Sequence, residues 1–208
     1  MTGASAGGRE PDDTARDICL RLLAARPRTR AELRAALAKR GLPEEVVERV
    51  LDRFEELRWV DDAAFADQWV QSRHATRGLS RRALGQELRR RGVEPETVEL
   101  AVGGLHERAE EETAHALARR RAAATAGLDR QVRVRRLTAM LLRRGYPPDL
   151  ATRAVLRALE NGPEAVPDAD VADDLLGDDD VRDLDDGHDP RQVRPPGQWG
   201  RRRLGRRQ

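Results

Sequence analysis

The chain has 208 residues, of which 37% are charged and only 3% are aromatic, so any hydrophobic core must be aliphatic and modest in size. Its formal net charge of +2 conceals three regions: residues 15–160 hold 30 Lys and Arg against 22 Asp and Glu, residues 161–190 hold 12 acids and one base, and residues 191–208 hold seven Arg and no acid. The single cysteine excludes an intrachain disulfide. Because no apolar run reaches the ~20 residues of a membrane helix or forms a signal-peptide core, we expect a cytoplasmic protein that does not enter membranes.

The first helical pattern predicts a three-helix repeat over residues 14–57. Cys19 lies on an apolar stripe with helical spacing, so we expect it to be buried in the core. Thr29 and Glu32 have the spacing of a capping box at the start of the second helix. Gly41 follows that helix and is placed to end it in a left-handed conformation.

The same order of signals returns over residues 58–106 and predicts a second three-helix repeat. Asp61 has the position and residue type of an N-cap. Ser80 stands where Thr29 stands in the first repeat, and Gly92 corresponds to the helix-ending glycine. The second repeat is therefore predicted to have the same internal plan as the first.

A third repeat is predicted over residues 107–160. All three repeats share a phrase in which two leucines four residues apart are followed by a glycine, at Gly41, Gly92 and Gly145, with spacings of 51 and 53 residues. Such a period indicates one structural unit used in tandem. Since no segment shows the alternation typical of strands, we predict an all-α fold of three tandem three-helix repeats that form an elongated, curved array.

The two ends of the chain lack this periodicity and are predicted to be disordered. Residues 1–13 are rich in Gly, Ser, Asp and Pro, and residues 161–208 form an acidic and then a basic tail. The opposite charges predict an intramolecular attraction between the acidic segment 164–189 and either the basic body or the Arg-rich end.

The motifs of enzymes and of metal or cofactor sites are missing from the sequence. The four histidines form no pair at helical metal-ligand spacing, and there is no cysteine pair. Gly-rich phosphate loops and the Gly-x-Ser-x-Gly elbow are also missing. We interpret the run from Glu110 to Glu112 as an acidic first turn that complements a helix dipole. The sequence thus predicts a protein that is not an enzyme and that has no catalytic residues, no metal and no cofactor.

Clusters of basic residues are the strongest functional signal. Several stand just before a helix-ending glycine, where cations also favour the helix C-terminus, and many others can simply solvate helix faces. The alternative is a basic stripe that meets phosphates or an acidic protein surface, with the second repeat as its centre. The candidate binding residues are Arg73, Arg81, Arg82, Arg89, Arg90, Arg91, Lys39, Arg40, Arg143 and Arg144.

Two long motifs resemble a known family. Residues 59–73 read WVDDAAFADQWVQSR, residues 78–93 read GLSRRALGQELRRRGV, and residues 141–146 in the third repeat read LLRRGY. In this order and spacing they resemble the RecX family of bacterial recombinase regulators, over about residues 15–160. Tyr146 stands where we would expect Phe more often, and the tail after residue 160 lies outside the family pattern.

The resemblance implies a function that the residues alone do not. Members of this family bind the RecA recombinase filament on DNA, lie within its helical groove, and inhibit strand exchange and ATP hydrolysis by RecA. We therefore expect a monomeric regulatory protein of DNA repair, recombination and the SOS response, with the RecA filament as its partner and with DNA contacted weakly or through the filament. The alternative is a general DNA-binding protein whose arginines contact the phosphate backbone. A nuclease or other enzyme has no support in the sequence.

Overall fold

The computed structural model describes residues 10–160, and this range is entirely helical, with no strand. It contains nine α-helices and one 3₁₀ turn, Ala123–Thr125, between α7 and α8. The helices are α1 Pro11–Ala25, α2 Arg30–Ala38, α3 Glu44–Glu56, α4 Asp62–Arg77, α5 Arg81–Arg90, α6 Pro95–Gly103, α7 Glu107–Ala122, α8 Arg130–Arg143 and α9 Pro148–Glu160. The predicted all-α fold with three helices in each repeat is confirmed. Helix α1 begins at Pro11, inside the stretch predicted to be disordered, and the predicted tail 161–208 lies outside the described residues.

The described residues fall into two compact units, 10–65 and 66–160, and the division lies within α4. The first unit contains α1 to α3, whose apolar faces share one core. Thr29 accepts a hydrogen bond from the backbone N–H of Glu32, and the Glu32 carboxylate accepts one from the N–H of Thr29, which confirms the capping box. Gly41 adopts a φ of 72°, so the predicted left-handed helix end is also confirmed.

Cys19 belongs to the core of the first unit and is fully buried. Burial among aliphatic side chains disfavours the thiolate and raises the pKa of Cys19 to about 11. Because the thiolate is the reactive form, this thiol is a packing group, as the sequence predicted.

Three helix-end contacts join the second and third repeats into the unit 66–160. The backbone N–H of Ser80 donates to the carbonyl oxygen of Arg144 at 3.1 Å. The hydroxyl of the buried Tyr146 donates to the carbonyl oxygen of Gly78 at 2.9 Å. Gly145, with a φ of 86°, brings its backbone against Ser80 so closely that an added Cβ would stand 2.6 Å from the Ser80 Oγ. The repeating helix-cap signals thus also form the contact between these two repeats.

Candidate partner-binding surface

The positive charge of the helical body is concentrated in the second unit. Residues 10–65 carry 11 Lys and Arg against 13 Asp and Glu, a net charge of −2. Residues 66–160 carry 19 Lys and Arg against 12 Asp and Glu, a net charge of +7. An anionic partner is therefore attracted to the second unit rather than to the first.

The arginines of the first unit are largely paired with acids of the same unit. Arg30 contacts carboxylates of α3 at 2.5 to 2.7 Å, and its backbone N–H donates to Asp62 at 2.9 Å. Among the candidate residues, Lys39 and Arg40 are exposed at the end of α2, where Arg40 donates to the carbonyl oxygen of Ala36 at 3.1 Å. These two cations complement the C-terminal end of α2, which is the local role that the sequence allowed.

Arg81 is held in an ion pair that reaches from the second repeat to the third. Its Nε lies 2.8 Å from the Glu110 carboxylate, whose side chain is only 4% exposed. The same carboxylate accepts the backbone N–H of Arg81 at 2.9 Å. Both contacts are made at the first residue of α5, so the guanidinium of Arg81 is committed to holding the fold.

Arg73 and Arg91 are both stacked on Trp69. The guanidinium carbons lie 4.3 Å and 3.9 Å from the centre of the indole ring, which is the geometry of a cation–π contact. The indole Nε1–H donates to Glu87 at 2.8 Å. Trp69 is half-buried beneath these two guanidinium groups.

Arg82 and Arg89 differ from the other arginines of this helix. They are exposed, and neither makes an ion pair or a hydrogen bond within residues 10–160. Seven residues are about two helical turns, so both project from the same face of α5, about 10 Å apart along its axis. Together with Arg81 they line an open groove between α5 and α6, which we call the α5/α6 groove; its other lining residues are Gly85, Gln86, Glu99, Val102 and Gly103.

The remaining candidates lie at helix ends. Arg90 is exposed in the last turn of α5, and Arg143 is exposed in the last turn of α8. The guanidinium of Arg144 donates to the carbonyl oxygen of Arg77, across the contact between the second and third repeats. Among the candidate arginines of the second repeat, Arg73, Arg81 and Arg91 make contacts that hold the fold, whereas Arg82 and Arg89 line the groove without a partner in residues 10–160.

Sequence reasoning missed the role of Glu110. The run of three glutamates was interpreted as an acidic first turn, and Glu110 does lie in the first turn of α7, but its side chain is buried, with 3% of the residue exposed. A signal was present, because Glu110, Ala114 and Leu117 have the i, i+4, i+7 spacing of one helix face and the other two are core residues. An acid on a core stripe predicts a buried partner of opposite charge, which is Arg81.

The described residues hold no group of three or more His, Cys, Asp or Glu side chains suited to a metal ion. His74 uses both ring nitrogens in contacts of 2.9 Å, with the carbonyl oxygen of Leu79 and with the Thr113 hydroxyl. In the same range, no helix has the length and apolar character needed to cross a bilayer.

Fold and surface together define an all-helical protein of tandem three-helix repeats. Family models match each repeat: the first three-helix domain of RecX at residues 15–54, the second at 61–102 and the third at 109–155. The chain belongs to the RecX family, whose members are regulatory proteins and not enzymes.

Curated relatives support the same assignment over most of their length. The chain is 57% identical over 161 residues to the regulatory protein RecX of Thermobifida fusca, covering 76% of this chain and 87% of the relative. It is 54% identical over 152 residues to that of Streptomyces coelicolor, covering 73% and 81%. It is 47% identical over 154 residues to that of Mycobacterium tuberculosis, covering 72% and 88%.

Two crystal structures share the fold. RecX from Lactobacillus salivarius superimposes with a TM-score of 0.66 at 17% identity, covering 72% of this chain and 97% of that one. A second structure, of a regulatory protein RecX, has a TM-score of 0.63 at 19% identity, covering 76% and 81%.

Proposed function

We propose that this protein binds the RecA recombinase filament on DNA and inhibits strand exchange and ATP hydrolysis by RecA, thereby regulating DNA repair, recombination and the SOS response. The proposal rests on membership of the RecX family and on the uneven distribution of charge. We further propose that the protein acts as a monomer in the cytoplasm.

The observation that carries the proposal is the pair of uncommitted guanidinium groups of Arg82 and Arg89. Arg73, Arg81 and Arg91 already have partners inside the fold, so moving them would cost stability. Arg82 and Arg89 have no such cost and stand on the unit with a net charge of +7. A guanidinium can bind carboxylates and phosphates through two parallel hydrogen bonds, so the α5/α6 groove suits an acidic protein surface or a phosphate backbone.

The test is RecA's DNA-dependent ATPase measured with increasing amounts of this protein. The wild type inhibits the ATPase, and Arg82→Ala with Arg89→Ala weakens inhibition about tenfold or more, since each lost charge-assisted hydrogen bond contributes roughly 1.5–3 kcal/mol. Arg135→Ala with Arg136→Ala is the matched control, because both residues are exposed on α8 and make no ion pair with any residue between 10 and 160. No inhibition by the wild type at micromolar concentration overturns the proposal.

The second candidate function is general DNA binding through the phosphate backbone. It is favoured by the same net charge of +7 and by the guanidinium groups of Arg82 and Arg89, which have no partner in the described part of the chain. For single strands, the slope of log K against log salt is about −0.7 per phosphate contact. Tight binding of DNA without RecA, with a slope that falls by about 1.4 in the double variant, favours this function. Binding that requires RecA excludes it.

A further inference from the structure

The α5/α6 groove combines a cationic wall with an apolar floor. Arg82 and Arg89 stand on the α5 side, and Val102 stands on the α6 side. Gly85 lies beneath the groove: an added Cβ would lie 3.5 Å from Nη1 of Arg89, 3.5 Å from the Val98 methyl carbon and 3.7 Å from that of Val102. Gly85 and Val98 are buried, so the half-buried Val102 supplies the apolar surface that a ligand can reach beside the two guanidinium groups.

Glu99 gives the groove a third chemical feature. It lies on the α6 side, is exposed, and makes no ion pair within the described residues. Besides an external anionic partner, the groove therefore suits an acidic peptide that also carries aliphatic side chains and a single base.

The chain itself contains such a segment. Residues 173–186 read DDLLGDDDVRDLDD, with eight aspartates, four aliphatic residues and one base, Arg182. The aspartates match Arg82 and Arg89, the aliphatic residues match the floor, and Arg182 matches Glu99 in charge. We propose that the α5/α6 groove binds this acidic segment of the same chain.

The length of the intervening chain permits this contact. Twelve residues separate Glu160, the last residue of α9, from Asp173. Fully extended, they reach about 40 Å. A compact domain with as many residues as the unit 66–160 has a radius of gyration of about 12 Å. The segment can therefore reach any face of the unit to which α9 belongs.

Docking of the segment makes the groove autoinhibited. An anionic partner that uses Arg82 and Arg89 must first displace the aspartates, and the segment is a local competitor because it is tethered. The Arg-rich residues 191–208 are the rival partner for the aspartates, but their sequence offers few large apolar residues to meet the aliphatic side chains, namely Val193, Trp199 and Leu204. The binding of segment to groove does not depend on which external partner the groove meets.

The experiment is paramagnetic relaxation in the full-length chain. A nitroxide is attached to Ala172→Cys, and Cys19 stays unlabelled because it is fully buried. At low salt we expect the amide signals of Gly85, Gln86 and Gly103 to lose intensity. The losses should disappear at about 0.5 M NaCl, where the Debye length is roughly 4 Å.

Charge variants identify the binding surface. Arg82→Glu with Arg89→Glu should restore the signals, whereas Arg135→Glu with Arg136→Glu on α8 should leave them weakened. Losses that persist in the groove variant, or that are never seen, overturn the proposal.

A mixture of isotope-labelled chains and nitroxide-labelled chains tests whether the contact is made between molecules. Loss of signal intensity in the isotope-labelled chains of this mixture shows a contact between copies and also overturns the proposal. Arginine-to-glutamine changes in residues 191–208 should leave the losses in place, and their disappearance assigns the segment to the Arg-rich end instead.

Discussion

Glu110 of α7 accepts two hydrogen bonds from Arg81, one from the backbone N–H at 2.9 Å and one from Nε at 2.8 Å. The carboxylate thereby satisfies a free N–H in the first turn of α5 and pairs with the charge of the same residue. Together with the Tyr146 and Ser80 contacts, it holds the third repeat against the helix that carries the groove. The position of Arg82 and Arg89 thus depends on a residue in another repeat.

Replacing Glu110 should destabilise the second unit in a graded way. Glu110→Gln keeps an oxygen acceptor for the Arg81 N–H but loses the charge, and we expect a loss of about 1–2 kcal/mol. Glu110→Ala leaves the N–H without an acceptor as well, and we expect about 2–3 kcal/mol. Urea unfolding followed by circular dichroism measures both. Glu111→Gln is the matched control, because Glu111 is exposed, and a loss equal to that of Glu110→Gln contradicts the role assigned to Glu110.

Alanine substitutions at Gly41 and Gly145 should distinguish the stability cost of backbone strain from that of steric contact. Both have positive φ, 72° and 86°, so alanine at either position suffers the left-handed cost of about 1–2 kcal/mol. A Cβ on Gly41 meets nothing within 4 Å, whereas on Gly145 it would lie 2.6 Å from the Ser80 Oγ and 2.7 Å from the Ala83 Cβ. We expect Gly145→Ala to lose at least about 2 kcal/mol more than Gly41→Ala, because the helix-end contact must open. Equal losses in urea unfolding would show that the neighbours of Gly145 yield without cost.

Local rules predicted the repeat and its helix ends, but contacts distant in sequence lay beyond them. The capping box of Thr29 and the left-handed turn at Gly41 each depend on a few adjacent residues, which the sequence displays directly. The pairs Arg81–Glu110 and Tyr146–Gly78 are 29 and 68 residues apart, and only the packing of helices brings them together.

The candidate site was predictable to the same extent. The helical angle alone places Arg82 and Arg89 on one face of α5, but it does not predict the ion pair that commits the neighbouring Arg81 to Glu110. The stacking of Arg73 and Arg91 on Trp69 joins α4 to the end of α5, so it could not be predicted from the sequence of either helix. The tertiary packing of the helices therefore determines which arginines remain available to bind a partner.

Asp61 and Asp62 should respond to pH in opposite directions. The Ala64 N–H, together with Arg58, holds the pKa of Asp61 below its ordinary value. Burial raises the pKa of Asp62, against the hydrogen bond from the Arg30 N–H. A lowered pKa contributes stability above the unfolded value of about 3.9 that is lost as pH falls. A raised pKa does the reverse, since the folded state disfavours the ionised Asp62 as pH rises.

Asparagine at each position separates the two effects. Asp61→Asn should destabilise the protein near neutral pH and lose that disadvantage as pH falls below about 4. Asp62→Asn should gain stability relative to the wild type as pH rises from about 4, because the amide can still accept the Arg30 N–H without a buried charge. Urea unfolding at about pH 3 and pH 7 gives both differences. Parallel changes in the two variants would contradict the opposite signs.

Substitutions in two pairs of arginines should distinguish the residues that stabilise the fold from those that bind the partner. Arg73 and Arg91 stack on Trp69, so Arg73→Gln with Arg91→Gln removes two cation–π contacts and should cost about 1–2 kcal/mol of unfolding free energy. Arg82→Gln with Arg89→Gln removes the same charge from residues without partners in the described fold, and we expect a change within about 0.5 kcal/mol. Inhibition of the RecA ATPase should show the reverse order, with the larger loss in the groove variant. Because both variants lower the net charge by two, long-range attraction falls equally in each, and a difference in inhibition reports the local contact. Both variants are compared at a temperature where both remain folded. If the variant with Arg73→Gln and Arg91→Gln loses more inhibition, the stacked arginines and not the groove meet the partner.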